Sequence, residues 1–267
     1  MLSQKKEENL RRIRTFYVPL APKTTATHKM SYLHVFNLLK RTGLEIRDLF
    51  LPRLCPVCGK RLMMSESFIC LTCVMHWPRY EIERTDDNRM LRQLWPSVPV
   101  SHGASLIVYR PDSDFHEVLM DIKYRGRPDL AHEMGRWAAM ELMGSRLVAA
   151  VDTLVPVPLS KKKKRKRGYN QAEKLAEGLS EVLKLPVKNW LTREEGTGSM
   201  TQLNYEERLK ATEGLYKAHI PDSHRGKRIL IIDDVMTTGS TLAACTKAIL
   251  EEDQTAEISI FTLAYTV

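Results

Sequence analysis

The chain has 267 residues, 43% of them apolar and 27% charged, and its 41 Lys/Arg against 32 Asp/Glu leave a net charge of +9. That is globular composition with enough chain for one large or two modest domains, so disorder along the whole length is excluded. No run approaches the ~18 uninterrupted apolar residues of a membrane helix, and Met1-Leu-Ser-Gln-Lys-Lys-Glu7 carries no apolar signal core. The expectation is a cytoplasmic protein with reduced thiols and no membrane insertion.

Residues 1–30 mix basic, polar and Thr/Pro-containing sequence without sustained periodicity and read as a poorly ordered extension, with Met30 a second candidate start. From Ser31, the apolar residues Leu33, Phe36, Leu39, Leu44, Ile46 and Leu49 recur at near-helical spacing, so a helical lead-in is expected before the cysteine-containing stretch that ends near residue 80. Residues 81–100, with Asp86, Asp87, Asn88, Pro96 and Pro99, read as a polar linker. Beyond it the patterns alternate. Strands are expected near Ala104–Tyr109, Thr153–Val157, Arg228–Ile232 and Ile258–Leu263, with a weaker one near Pro186–Trp190. Helices are expected near Asp114–Lys123, Asp129–Leu142, Asn170–Leu183, Asn204–Thr212 and Ser240–Glu251. This succession predicts an α/β domain over 101–267 built on a parallel sheet flanked by helices.

The positive charge is concentrated. The first thirty residues hold seven Lys/Arg against Glu7 and Glu8, and the run Lys161-Lys-Lys-Lys-Arg-Lys-Arg167 adds seven more, so the rest of the chain is slightly acidic. A polyanion would have to meet the tail or this run, which reads as a loop. The run has two readings, an anion-capturing segment and a solvated basic loop.

Cys55-Pro-Val-Cys58 and Cys70-Leu-Thr-Cys73 are two C-x-x-C pairs with eleven residues between them. Each pair can wrap a knuckle that presents two thiolates, and four thiolates at this spacing match tetrahedral Zn²⁺, with Gly59 supplying permissive backbone. With all four positions taken by sulfur, no site remains for water, so the zinc is expected to be structural. Two redox pairs or four buried thiols are the rival readings, and His76 is an alternative ligand. Cys245 reads as a small core residue.

The segment Arg228-Ile-Leu-Ile-Ile-Asp-Asp-Val-Met-Thr-Thr-Gly-Ser-Thr241 is an apolar strand ending in two carboxylates, followed by a hydroxyl-rich loop that opens a helix. Glycine lets backbone approach a ligand, Thr and Ser hydroxyls join free N–H groups, and the helix dipole favours an anion. Paired aspartates at the strand end can accept hydrogen bonds from vicinal ribose hydroxyls. The other reading makes the same residues a helix cap. No Walker loop or G-x-G-x-x-G is present.

Ile231-Ile-Asp-Asp-Val-Met-Thr-Thr-Gly-Ser-Thr241 resembles the PRPP-binding signature of type I phosphoribosyltransferases. More narrowly, the chain from about residue 45 onward resembles the ComF family, which couples a four-cysteine zinc element to a phosphoribosyltransferase domain. Further matches are Lys123-Tyr-Arg-Gly126, Val155-Pro-Val-Pro-Leu-Ser160, Arg167-Gly-Tyr-Asn-Gln171, and Gln202 with Arg208. The resemblance implies a type I phosphoribosyltransferase fold and a Mg²⁺-dependent PRPP pocket. It places Asp233 and Asp234 on the ribose, Thr237, Thr238, Gly239, Ser240 and Thr241 around the 5′-phosphate, Val235 among the PRPP-binding residues, Val157 and Pro158 in the pyrophosphate loop, and Arg167 beside the pyrophosphate.

Two functions follow from it. One is an enzyme that transfers ribose 5-phosphate from PRPP to an unassigned acceptor. The other is a non-catalytic protein of natural transformation that contacts single-stranded DNA through the basic run and works with DNA-uptake proteins. Glutamine-dependent amination needs an N-terminal cysteine, and position 2 is Leu2.

Overall fold

The computed structural model describes residues 52–80, 84–110, 112–194 and 214–266. The expected extension, the helical lead-in and the helix at 204–212, with Gln202 and Arg208, lie outside the described residues. The chain divides between His76 and Trp77 into two units.

In the first unit, an isolated bridge joins Leu54 to Arg61 around the first cysteine pair, and α1 (Leu71–His76) follows the third cysteine.

The second unit runs α2 (Arg89–Leu94), β1 (His102–Tyr109), α3 (Phe115–Tyr124), α4 (Pro128–Leu142), α5 (Arg146–Ala149), β2 (Thr153–Pro156), α6 (Lys161–Arg167) and α7 (Gln171–Leu183). It continues with β3 (Leu191–Arg193), β4 (Tyr216–Ala218), β5 (Arg228–Met236), α8 (Ser240–Glu252) and β6 (Glu257–Thr266). Four strands form a parallel sheet in the order β1-β6-β5-β2, while β3 and β4 pair as a separate antiparallel ribbon. The expected parallel α/β architecture is therefore present. Ile229 to Ile232 and Ile260 to Ala264 are buried at consecutive positions, because helices cover both faces of a parallel sheet.

Three expectations are corrected. The described part of the linker, 84–100, contributes to the core: Met90, Leu91 and Leu94 of α2 are fully buried. Its polar residues are the helix's fastenings. Asn88 caps α2 by accepting from the Leu91 N–H, its amide donates to the Gly103 carbonyl at 2.8 Å, and Asp87 pairs with Arg92 on the surface. The strand expected at 186–190 reduces to one bridge, Leu154 to Val187, with β3 forming just after it. The basic run is a helix, capped by the Ser160 hydroxyl on the Lys163 N–H and closed by Gly168 at φ 82°.

Helices α4 and α7 touch backbone to backbone. A Cβ on Gly178 would lie 2.0 Å from the His132 carbonyl oxygen, and one on Gly135 would lie 2.2 Å from that of Leu175. Since α7 also packs on β2 and β5, this contact sets how closely the helical layer covers the sheet. Gly178→Ala is expected to cost about 1–3 kcal/mol, despite alanine's better helix propensity, because two backbones must separate. Urea unfolding checks this, and an unchanged midpoint would contradict it.

Candidate functional site

Strand β2 pairs with β5 only as far as Pro156 opposite Ile232, whereas β5 continues to Met236. Asp233, Asp234 and Val235 therefore extend beyond the end of β2, and a crevice opens at the carboxyl ends of the strands, where open α/β sheets bind ligands. Val157, Pro158 and Leu159 line one side of it, followed by α6 and α7. Asn170 fixes that side: its amide donates to the Val157 carbonyl at 2.9 Å while its side-chain oxygen caps α7 on the Ala172 N–H.

On the other side, Thr237 to Thr241 turn from β5 into α8. Gly239 has φ 77°, and a Cβ there would lie 2.8 Å from Leu94 and 2.9 Å from the Met236 side chain, so glycine is required by both conformation and space. Helix α2 thus supports the loop from beneath, and Gln93 donates to the Thr237 carbonyl at 3.0 Å. The N-terminus of α8 has no side-chain cap, which leaves its first N–H groups available to an anion. This answers the rival reading of the hydroxyl residues: Thr238 and Ser240 bond each other at 3.2 Å instead of capping the helix.

Two adjoining cavities share Lys163, Arg193, Asp233, Val235 and Thr241 and together contain every pocket residue expected from the sequence. They also contain Lys123, Asn170, Gln171, Arg193 and Tyr216, which the sequence reading did not place there, and Lys163, which it left among unassigned lysines. The carboxylates are unequal. Asp234 pairs with the Lys123 ammonium at 3.2 Å, and its N–H donates to Asp233 at 2.8 Å. Burial, and then the Asp234 charge beside it, push the Asp233 carboxyl up to about 8.

Cations surround the pair. Helix α6 turns Lys163 and Arg167 to the same side, one helical turn apart, so both line the pocket. Desolvation, followed by the nearby Arg193 and Arg167 charges, lowers the Lys163 pKa. Arg193 lies over the Tyr216 ring, 5.3 Å from its centroid. The Arg193 Nε and the Tyr216 hydroxyl are both buried without a hydrogen-bond partner among the described residues. Buried donors left unmade are costly, so these two suit a polar ligand. The arrangement can hold a polyanion bearing vicinal hydroxyls.

In the first unit, the sulfurs of Cys55, Cys58, Cys70 and Cys73 lie within 4.8 Å of one another, with Cys58 and Cys70 at 3.6 Å. Four thiolates about 2.3 Å from a central zinc would be spaced about 3.8 Å apart, so the donor set fits such an ion. Backbone prepares the knuckles: the Gly59 N–H donates to the Cys55 carbonyl at 2.9 Å, and the Cys70 N–H approaches the Cys55 sulfur at 3.5 Å. Buried Glu66 accepts from the Met63 and Leu71 N–H groups, both at 2.7 Å, which ties the second pair to α1. Burial raises the Cys70 and Cys73 thiols, a cost that a bound cation offsets. His76 is outside the cluster, bonded to the Thr72 carbonyl.

The phosphoribosyl transferase domain family matches residues 139–266. Competence protein ComFC of Bacillus subtilis (strain 168) is 30% identical over 223 residues, covering 79% of this chain and 77% of that protein. The chain belongs to the ComF family. DNA utilization protein YhgH of Escherichia coli (strain K12) is 25% identical over 76% of this chain and 92% of its own length. Competence protein F of Haemophilus influenzae is 31% identical over 42% of this chain and 50% of its own length.

In this ComF-family chain, the residues missed from sequence are those brought to the pocket from other elements. Arg193 and Tyr216 come from the β3–β4 ribbon and Lys123 from the end of α3. The signal for Lys163 was present, since it stands four residues before Arg167, but it lay hidden in an unbroken run of cations. Among the described residues, no helix is long and apolar enough to cross a membrane.

Proposed function

We propose that this ComF-family chain binds PRPP and transfers its ribose 5-phosphate to an acceptor with release of pyrophosphate. The observation that carries this is the Asp233–Asp234 pair at the end of β5, with an uncapped helix N-terminus on one side and four cations, Lys123, Lys163, Arg167 and Arg193, around it. In this reading the carboxylates accept the ribose hydroxyls, and the backbone of Thr237 to Thr241 takes the 5′-phosphate. Lys163, Arg167 and Arg193 stabilise negative charge as pyrophosphate leaves, with Val157 and Pro158 forming the wall behind it. Mg²⁺ bound with PRPP would supply further neutralisation of the leaving group. Cys55, Cys58, Cys70 and Cys73 hold one structural Zn²⁺. Calorimetry with PRPP and Mg²⁺ tests the binding. Saturable heat that Arg193→Ala weakens by about tenfold or more is expected, and no heat at millimolar PRPP would overturn the reading.

A second reading is favoured by the outer side of α6. Lys161, Arg165 and Lys166 are exposed and have no carboxylate partner among the described residues, and relatives carry the names competence protein and DNA utilization protein. We infer from these that the chain contacts single-stranded DNA.

A further inference from the structure

Tyr124, the last residue of α3, is 56% exposed although its neighbour Lys123 reaches into the pocket to hold Asp234. One face of its ring is occupied. The Arg167 guanidinium stands 5.2 Å from the ring centroid and is anchored by the Gln171 side-chain oxygen at 2.9 Å. Since Arg167 lines the pocket, the ring stands at the pocket's rim, backed on one side and open to solvent on the other.

Charge near this ring falls into two groups. Arg125 is neutralised by Glu117 and Asp121, and Arg127 by Asp129. On α6, Lys164 pairs with Glu173, whereas Lys161, Arg165 and Lys166 keep their charge uncompensated among the described residues. An exposed aromatic ring held by one end of a helix whose outer side carries unpaired cations is poorly suited to an apolar protein partner, which would have to desolvate those charges. A ligand carrying flat rings and regularly spaced phosphates satisfies both features at once.

We propose that Tyr124, held by Arg167, is a stacking platform for a base of single-stranded nucleic acid whose phosphates run along the outer cations of α6. This rests on the DNA-contact reading above and adds the residue that engages the base. The guanidinium fixes the ring before the ligand arrives, so stacking does not have to order a freely rotating side chain. Sequence proximity could not suggest it, because Tyr124 is remote in the chain from the basic run.

The test is fluorescence anisotropy on the full chain with a labelled oligothymidine of roughly 12 nucleotides and an abasic strand of equal length. Tyr124→Ala is expected to weaken oligothymidine binding by about tenfold or more, to leave abasic binding unchanged, and to keep the slope of log affinity against log salt, because no cation is removed. Tyr124→Phe should bind as the parent does. Tyr124→Trp should show quenching with the base-bearing strand, beyond that of the parent, and none with the abasic one. Equal affinity of parent and Tyr124→Ala for oligothymidine would overturn the platform while leaving DNA contact intact. Equal loss on both strands would also overturn it, by showing that the residue only places Arg167. An equal loss for free thymidine monophosphate would overturn the assignment to a strand. A parent that binds neither strand would remove the DNA reading together with the platform.

Discussion

Asp233→Asn combined with Asp234→Asn is expected to lower PRPP affinity by roughly two to four decades above about pH 8, where both carboxylates are ionised, while the protein stays folded, since each charge-assisted hydrogen bond to a hydroxyl contributes about 1.5–3 kcal/mol. Both residues lie beyond the end of β2 instead of in the core, so the substitutions remove ligand acceptors without opening a cavity. The single change Asp233→Asn should in addition stabilise the ligand-free protein above neutral pH. With its folded pKa raised to about 8 from 3.8, Asp233 retains a proton between those values that the unfolded chain has lost. The folded state binds more protons across that window, so its stability declines as pH rises from about 4 and levels off above about 8. Asparagine has no such titration. The variant's advantage should therefore grow over the same window. Calorimetry with PRPP and urea unfolding at several pH values read the two effects. Parent-like PRPP affinity in the double variant would move the site elsewhere, and a stability difference that does not change with pH would remove the protonated Asp233.

Loss of zinc should act on the other unit. Treatment with a strong chelator, or Cys73→Ser, is expected to abolish hydrogen-exchange protection in residues 52–76 while the strands of the second unit keep theirs. Apparent zinc affinities of small four-ligand elements correspond to about 10–16 kcal/mol near neutral pH, far more than the few buried side chains here can supply. Within 52–76 those side chains are Leu62, Phe68, Ile69 and Val74, together with Cys55, Cys70 and Cys73. Without the ion, burial holds the Cys70 and Cys73 thiols in the neutral form, so no charge draws the four sulfurs together. Elemental analysis should find one zinc per chain. Protein purified without chelator that holds no zinc, or a chelated protein with unchanged protection at 52–76, would refute the assignment.

The parts of this protein legible in its sequence are those whose chemistry is local. Four cysteines within nineteen positions can meet one ion through two short knuckles, and the structure brings their sulfurs together. Asp233 through Thr241 form a strand end, a turn and a helix start in unbroken order, so their shared exposure to one crevice follows from adjacency. The parallel sheet was readable because doubly covered strands must be continuously apolar, which β5 and β6 are.

What the tertiary structure decided depends on partners far apart in the chain. Seven consecutive cations have no apolar period, so nothing in Lys161–Arg167 marks a helix or its inward face; Ser160 and Gly168 set the ends, and the phase of that helix turns Lys163 and Arg167 into the pocket. Arg193 and Tyr216 reach Asp233 only once β3 and β4 pair. A stretch that reads as linker becomes α2 because Asn88 caps it, and its Leu94 then stands beneath Gly239. Local sequence specified the Asp233–Asp234 pair and the four cysteines through adjacency, whereas the cations and supports around the crevice converge only through packing.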